Sequence, residues 1–455
     1  MDKTTPARRA FLRQLAAYGS LGAASRLALP LSLLGTATAE AATDYKALVC
    51  VYLQGGNDYA NTVVPFDGPS HALYAGLRST LALPASSLAA TALSPRNVLA
   101  GGVRFALAPG LAPVKPLFDA GQLSVLLNIG TLVAPTSKAQ FTASSVPVPP
   151  RLFSHIDQQS FSQTLISDQA TGWAGRIEDL LMANNTNATF SAISATGNSI
   201  FLSGRSATQY QVSPSGAVAI NGLGGRVFGS SAVGTALQSL ITASRSHPIE
   251  SEVSGMARRS ISAQGMVSSA IGTTSPFASL FPSGNSLAAQ LHIVARLINA
   301  RAALGAGRQV FMVSLGGFDL HDHLSAQHPL LMDTLGHALA SFQAAVMQMG
   351  LGANVTSFTA SDFGRTLTSN GDGSDHGWGS HHFLMGGAIR GGQILGTPPA
   401  LANNGPDDVG QGRLIPTLAW DQLAGQLGGW FGASASQLAT VLPNLRNFGS
   451  APAMV

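Results

Sequence analysis

The chain has 455 residues, 45% of them hydrophobic and only 10% charged, with 51 glycines and 24 prolines. That composition excludes wholesale disorder and suits a globular protein of one large or two ordinary domains with long, tightly turned loops. The formal net charge of +4 arises in the first 39 residues, where Lys3, Arg8, Arg9, Arg13 and Arg26 stand against Asp2 alone; the rest of the chain is balanced, which argues against a nucleic-acid partner.

Residues 1–41 read as an export signal. ARRAFLR at 7–13 is similar to the bacterial twin-arginine consensus, and a modestly apolar stretch at 15–34 leads to small residues at 37–39 or 39–41 that suit a signal peptidase. Gly19, Gly22, Arg26 and Pro30 make this a poor bilayer span. The expected destination is the periplasm or the exterior, with no stable membrane span once the signal is removed. The twin-arginine route carries folded proteins, often with a cofactor already loaded. Cys50 is the single cysteine, so no intrachain disulfide can form, and its place in the apolar run 47–53 predicts a buried structural thiol.

Residues 46–53 are apolar and rich in β-branched side chains, and stop at Gln54-Gly55-Gly56-Asn57-Asp58. This predicts a buried strand whose C-terminal loop presents Asp58. No G-x-G-x-x-G follows, so a dinucleotide site is not indicated. Residues 123–129 predict a second strand. Residues 154–165 predict a helix with Ser154 at its N-cap and Asp157 at the third helical position. Two uses of Ser154 stay open: a helix cap, or a nucleophilic or anion-binding hydroxyl where free N–H groups and the helix dipole favour an anion.

A short helix is expected over 171–182. From 191 to 284 the composition shifts to Ser, Gly, Ala and Thr, yet Phe201, Phe228, Phe277 and Phe281 need burial. An insertion or cap subdomain is therefore expected, with small strands at 199–202 and 217–220 and a helix at 232–244. Residues 287–304 have a helical apolar period, and 310–315, 329–349 and 355–360 read as strand, helix, strand. Such a βαβ unit calls for a parallel sheet and a right-handed crossover. Both strands then end on one edge, where open α/β sheets build their sites. A short hairpin strand at 388–390 and a helix at 414–431 complete the reading.

Two loops carry the chemistry. The first, 316–323, holds Asp319, His321, Asp322 and His323; the second, 361–387, holds Asp362, Asp372, Asp375, His376, His381 and His382. Asp319, His321 and His323 alternate, so an extended loop presents them to one side. Carboxylates and imidazoles without thiolates suit zinc or manganese, with calcium and magnesium still open. Asp362 with His376, His381 or His382 would complete the ligands, and His321 or His382 would then hold a ligand in place. The same groups also suit a hydrogen-bonded network without metal. Arg365 is placed to hold an anionic group or to pair with an acid.

The motifs QGGND (54–58), ATGWAGRIEDLL (170–181), SLGGFDLHDH (314–323) and SDFGRTLTSNGDGSDHGWGSHHFLMGGAIRGG (361–392) resemble the exported bacterial domain-of-unknown-function family 1501 over essentially the whole mature chain. That family is similar to the alkaline phosphatase and sulfatase superfamily. The resemblance implies an α/β three-layer sandwich over 42–450 with a mostly parallel central sheet and a small inserted subdomain. It also implies metal ions that activate a nucleophile and clamp a phosphate or sulfate ester. Carried over, Asp58 matches the acidic ligand after the first strand, Asp319 and His323 match a D-x-x-x-H ligand pair, and Asp362 matches the Ser-Asp-His-Gly turn. His376 or His381 matches the late histidine, and Ser154 the nucleophile's helix N-terminus. Phe363 departs from the pattern, which has histidine there, so one of two metal positions loses a ligand.

The expectation is an exported metal-dependent hydrolase of a small or polymer-linked anionic ester. Ser154, His376 and Arg365 would serve catalysis, with Asp58, Asp319, His323, Asp362, His376 and His381 on the metal. The rival expectation is a non-catalytic or metal-stabilised accessory protein that binds a co-exported partner or a cell-surface polymer.

Overall fold

Side chains that are apolar on both faces leave a strand no solvent side, and Lys46–Leu53 (β1) accordingly runs through the middle of a ten-stranded sheet. The computed structural model describes residues 44–223 and 225–455; the export signal expected at 1–41 lies outside them. The remaining strands of the sheet are Leu123–Gly130 (β2), Ala192–Ser194 (β3), Tyr210–Ser213 (β4), Gly216–Ala217 (β5), Arg308–Leu315 (β6), Val355–Ser361 (β7), Ser380–Gly386 (β8), Ile394–Leu395 (β9) and Leu418–Ala419 (β10). Across the sheet the order is β9-β2-β8-β7-β1-β6-β3-β4-β5, with β10 also on β2. Pairing is mostly parallel, and β8 is antiparallel to both β7 and β2. The mixed α/β architecture with a mostly parallel central sheet is thus as expected.

The longer helices are Gly68–Arg78 (α1), His155–Thr164 (α2), Trp173–Leu181 (α3), Ser231–Thr242 (α4), Pro248–Ile271 (α5), Ser286–Asn299 (α6), Leu324–Gln348 (α7) and Trp420–Phe431 (α8). Alternation along β1 sends Val49 and Val51 into a core with Leu291 of α6 and Leu335 and Phe342 of α7. Cys50 and Tyr52 enter a second core with Trp173 and Ile177 of α3 and Leu423 and Leu427 of α8. Helices therefore cover both faces. Cys50 is buried, and burial pushes its thiol pKa up, as suits a structural role. Among the described residues no helix is long and apolar enough to cross a membrane.

The strand–helix–strand unit forms as β6-α7-β7, with one difference. β1 lies between its two strands, in register so that Leu53 pairs with both Leu315 and Ser361. A long crossover helix can step over a strand, and periodicity does not reveal how many it steps over. The consequence favours a site: three parallel strands release their loops at one level.

Other differences have local causes. Residues 380–386, read as loop from their glycine and histidine, form the fully buried β8. No strand forms at 388–390; the short strand is Ile394–Leu395. The helix expected at 414–431 begins at Trp420, after the strand Leu418–Ala419. Within 191–284, β3, β4 and β5 extend the central sheet outward from β6, while Ile200–Leu202 is a 3-10 turn. The 24-residue α5 escaped the sequence reading because it buries only Ser254, Ala263 and Val267, so it lacks an apolar stripe.

Candidate metal centre

The level strand ends bring 54–58, 316–323 and 361–365 together. Gly55 has φ +113°, and a Cβ there would collide with the Asp319 backbone nitrogen; glycine lets the loop after β6 press onto the end of β1. After β7, a two-stranded ribbon of Arg365–Ser369 with Ser374–His376 folds the chain back. That return delivers His376 to Asp319.

One atom, Asp319 Oδ1, organises the cluster. It accepts a hydrogen bond from Arg365 Nη1 at 2.7 Å, and the Nε2 atoms of His155, His321 and His376 lie 3.3, 3.1 and 3.2 Å away. The opposite nitrogen of each ring faces an acceptor. His155 Nδ1 meets Asp362 Oδ2 at 2.8 Å, His376 Nδ1 meets the Phe153 carbonyl at 2.7 Å, and His321 Nδ1 meets Asp375 Oδ1 at 3.3 Å. Carbonyl and carboxylate oxygens accept only, so each Nδ1 donates; Nε2 then donates to Asp319 in the protonated ring, as the His376 contact at 3.2 Å allows, or offers its lone pair to a cation in the neutral one. His321 Nε2 and His376 Nε2 are 2.9 Å apart. Two lone pairs at that separation repel unless a proton or a metal cation lies between them.

The residues fit a metal ion. His155 Nε2 is buried yet makes no hydrogen bond, its approach to Asp319 being misaligned. Ligand atoms of His155, Asp319 and His376 all lie within 4.8 Å of one another, so the three could hold a metal, and His321 adjoins them. Imidazoles with one carboxylate and no thiolate match zinc better than calcium or magnesium, which take oxygen shells.

The charges agree. The Asp362 bond raises the His155 pKa against the opposing effect of burial. Burial lowers that of His376, helped by the positive charges of His155 and Arg365. Burial works against ionising Asp319, yet the Arg365 bond and the surrounding imidazoles prevail and hold its carboxyl below the ordinary value.

The structure brings together Asp319, His376 and Arg365 among the residues named from sequence, with Asp362 beside them orienting His155. Four others make contacts outside the cluster. Ser154 occupies the N-cap position of α2 but makes no capping bond; its hydroxyl donates to Asp157 Oδ2 at 2.6 Å. His323 occupies the N-cap position of α7 in a left-handed conformation, φ 51°, and pairs with Asp372 at 3.0 Å, so the D-x-x-x-H spacing does not converge on one point. His381 lies in buried β8, where Nδ1 accepts the Asn128 N–H at 3.0 Å and burial pushes its pKa down to about 3. Asp58 is buried in an ion pair with Arg78 of α1.

His155 and His321 complete the cluster. His155 follows Ser154 at the start of α2, a helix start that the sequence reading assigned to a hydroxyl. His321 lies on the first ligand-bearing loop, where the sequence leaves open whether it is a ligand or a supporting group. Phe363 packs against both His155 and His376, with ring centroids 4.8 and 4.7 Å away, as an apolar brace. Asp362→Asn should lower metal affinity ten- to a hundredfold, the usual effect of losing a carboxylate behind a ligating histidine. Competition titration with a chromogenic chelator measures it, and unchanged affinity would remove Asp362 from this role.

The fold and the cluster define an α/β protein with a candidate metal centre at the ends of its parallel strands. The chain belongs to the family described as "Protein of unknown function (DUF1501)", whose model matches residues 45–418. No curated protein matches it. Among solved structures it is similar to Ps i-CgsB in complex with k-i-k-neocarrahexaose, at 10% identity and a TM-score of 0.32, covering 89% of this chain and 74% of that one. It is also similar to the lipoteichoic acid synthase LtaP from Listeria monocytogenes, at 9% identity and a TM-score of 0.35, covering 88% and 76%. Scores this low carry no chemistry over to the chain.

Proposed function

We propose that this chain is an exported metal-binding protein. One divalent ion, zinc by its donor set, is held by His155, Asp319 and His376 with His321 beside them, and it binds an anionic group on a cell-surface polymer or a co-exported partner. The carrying observation is the buried, unpartnered Nε2 of His155 facing Asp319 and His376. A bound cation would supply Lewis acidity toward a sulfate, phosphate or carboxylate oxygen. The reading keeps the alkaline phosphatase-like fold implied by the motifs, twin-arginine export of the folded chain, and 191–284 as an inserted subdomain.

Binding is favoured over cleavage because the polar groups expected to serve catalysis are engaged. The Arg365 guanidinium bonds Asp319, the Gly55 carbonyl and the Ser374 carbonyl. Asp58, expected on the metal, is neutralised by Arg78. A hydrolytic reading, on a phosphate or sulfate ester, draws on one contact: the Asp157 carboxylate is placed to accept the Ser154 proton. Turnover of p-nitrophenyl phosphate or sulfate by zinc-loaded protein, lost in Ser154→Ala, would favour it.

Protein purified without chelator or metal-affinity tag should contain about one zinc per chain, and His155→Ala should contain almost none. Elemental analysis reads both. Metal-free wild type that is indifferent to chelator and to added zinc overturns the proposal.

A pH dependence follows. Without metal, protonated His155 on Asp362 stabilises the fold below the ordinary histidine pKa, and this contribution is lost as pH rises through the raised folded value. Zinc needs the neutral ring, so zinc stabilisation appears as pH rises through the same window. Thermal melts of chelated and zinc-loaded protein should therefore separate with increasing pH. Curves a constant distance apart across that window contradict the assignment of His155.

A further inference from the structure

Beside the metal centre, between α2 and the strand ends, lies a cavity of ≈ 300 Å³ lined in part by Gln54, Ile156, Gln159, Gln163 and Asn198. Its volume falls at the small end of ligand sites, which run from roughly 300 to 1,000 Å³. Its polar lining consists of side-chain amides and hydroxyls, with no ionisable side chain. A charged peptide would find no counter-charge there. A ligand with many neutral hydroxyls would find donors and acceptors on several sides.

Two of the amides are held in place. Gln163 Oε1 accepts from Ser199 Oγ at 3.1 Å and from the Phe201 N–H at 3.0 Å. Asn198 Oδ1 accepts from the side-chain amides of Gln209 and Gln211. With both oxygens occupied, each presents its NH₂ group as the free end. Ile156, 82% exposed, adds an apolar surface of the kind on which the C–H face of a sugar ring rests.

Cavity and metal centre share two elements. Ile156 follows His155 in the first turn of α2. Gln54 precedes Gly55, whose carbonyl accepts from Arg365, and the Gln54 carbonyl accepts the Phe318 N–H at 3.1 Å, one residue before Asp319. A ligand filling the cavity therefore rests on two of the elements that carry the centre.

We infer that the anionic partner is a glycan, with a neutral sugar ring in this cavity and a sulfate or phosphate substituent at the metal centre. The inference rests on the metal-centre reading for its anion, and on the cavity alone for its sugar. Carboxamides and hydroxyls recognise the ring; the cation recognises the substituent.

The test is an array of oligosaccharides with identical backbones in neutral, sulfated and phosphorylated forms, probed with zinc-loaded and chelator-treated protein, with acidic peptides alongside. Calorimetry then measures the best ligand. Retention of sulfated or phosphorylated glycans over their neutral counterparts is expected, and whether sulfate or phosphate prevails identifies the substituent. Gln159→Ala combined with Asn198→Ala should weaken binding about tenfold or more while zinc content and melting stay unchanged. Zinc-loaded protein that binds inorganic sulfate, phosphate or acidic peptides but no glycan overturns the inference and leaves the metal centre standing. Glycan binding that is weakened by the double variant in a protein retaining no zinc supports the sugar site and overturns the metal centre. Glycan binding that the double variant leaves unchanged places the sugar elsewhere and overturns the inference.

Discussion

Asp319→Ala should abolish metal retention and destabilise the fold in one step. Four groups converge on Asp319 Oδ1, three of them imidazole nitrogens and the fourth the Arg365 guanidinium. The substitution removes the carboxylate that faces the imidazole nitrogens directly, leaving Asp362 and Asp375, on the far side of the His155 and His321 rings, as the remaining anions. Arg365 has a fully buried side chain, and its other bonds go to the neutral Gly55 carbonyl and to Ser374. Losing one partner of a buried pair costs about 3–5 kcal/mol, and less here because the Asp319 side chain is 46% exposed and water can take its place. Elemental analysis should find no zinc, and the chelated variant should melt below the chelated wild type. Asp319→Asn separates the two effects: its amide oxygen can still accept from Arg365, so stability recovers in part while metal stays weak. Undiminished zinc in Asp319→Ala would show that the cluster is a hydrogen-bonded network and the metal lies elsewhere.

The parts of this site that could be read from sequence were those set by strand ends. Strand patterning places Asp319 and Asp362 at one edge of a sheet whatever the exact strand order, and the insertion of β1 between β6 and β7 changes nothing at that edge. His376 was legible as a ligand type but not as a position, because a ribbon turn decides which of His376, His381 and His382 returns to Asp319. Burial decided against the latter two. In β8 they lie on a strand with no solvent side, His381 against Tyr59 and His382 on Thr359. His155 reaches the site from a helix far away in sequence, and only the packing of α2 over the strand ends shows it. The D-x-x-x-H spacing fits a continuous loop, whereas His323 is the N-cap of α7 and turns to Asp372.

Arg78→Ala should be the most destabilising single change outside the core, while leaving zinc per folded chain unchanged. Asp58 and Arg78 form an ion pair with neither side chain more than 2% exposed. Arg78 Nη1 also reaches the Thr366 carbonyl at 3.0 Å, which ties α1 to the ribbon that carries His376. Yet the pair is incompletely satisfied: Asp58 Oδ1 and Arg78 Nε have no hydrogen-bond partner. Its attraction is therefore set against a large desolvation penalty, and removing one member exposes that penalty in full, about 3–5 kcal/mol. Removing both charges together, as in Asp58→Asn with Arg78→Met, should cost less than the sum of the single changes, since neither charge is then left alone. Denaturant unfolding of the two singles and the double measures the coupling. The same variants decide the role of Asp58. If it is a structural anion, folded Asp58→Asn retains its zinc; if zinc falls with Asp58 while His155 and His376 remain, Asp58 belongs to the metal and Arg78 is its competitor.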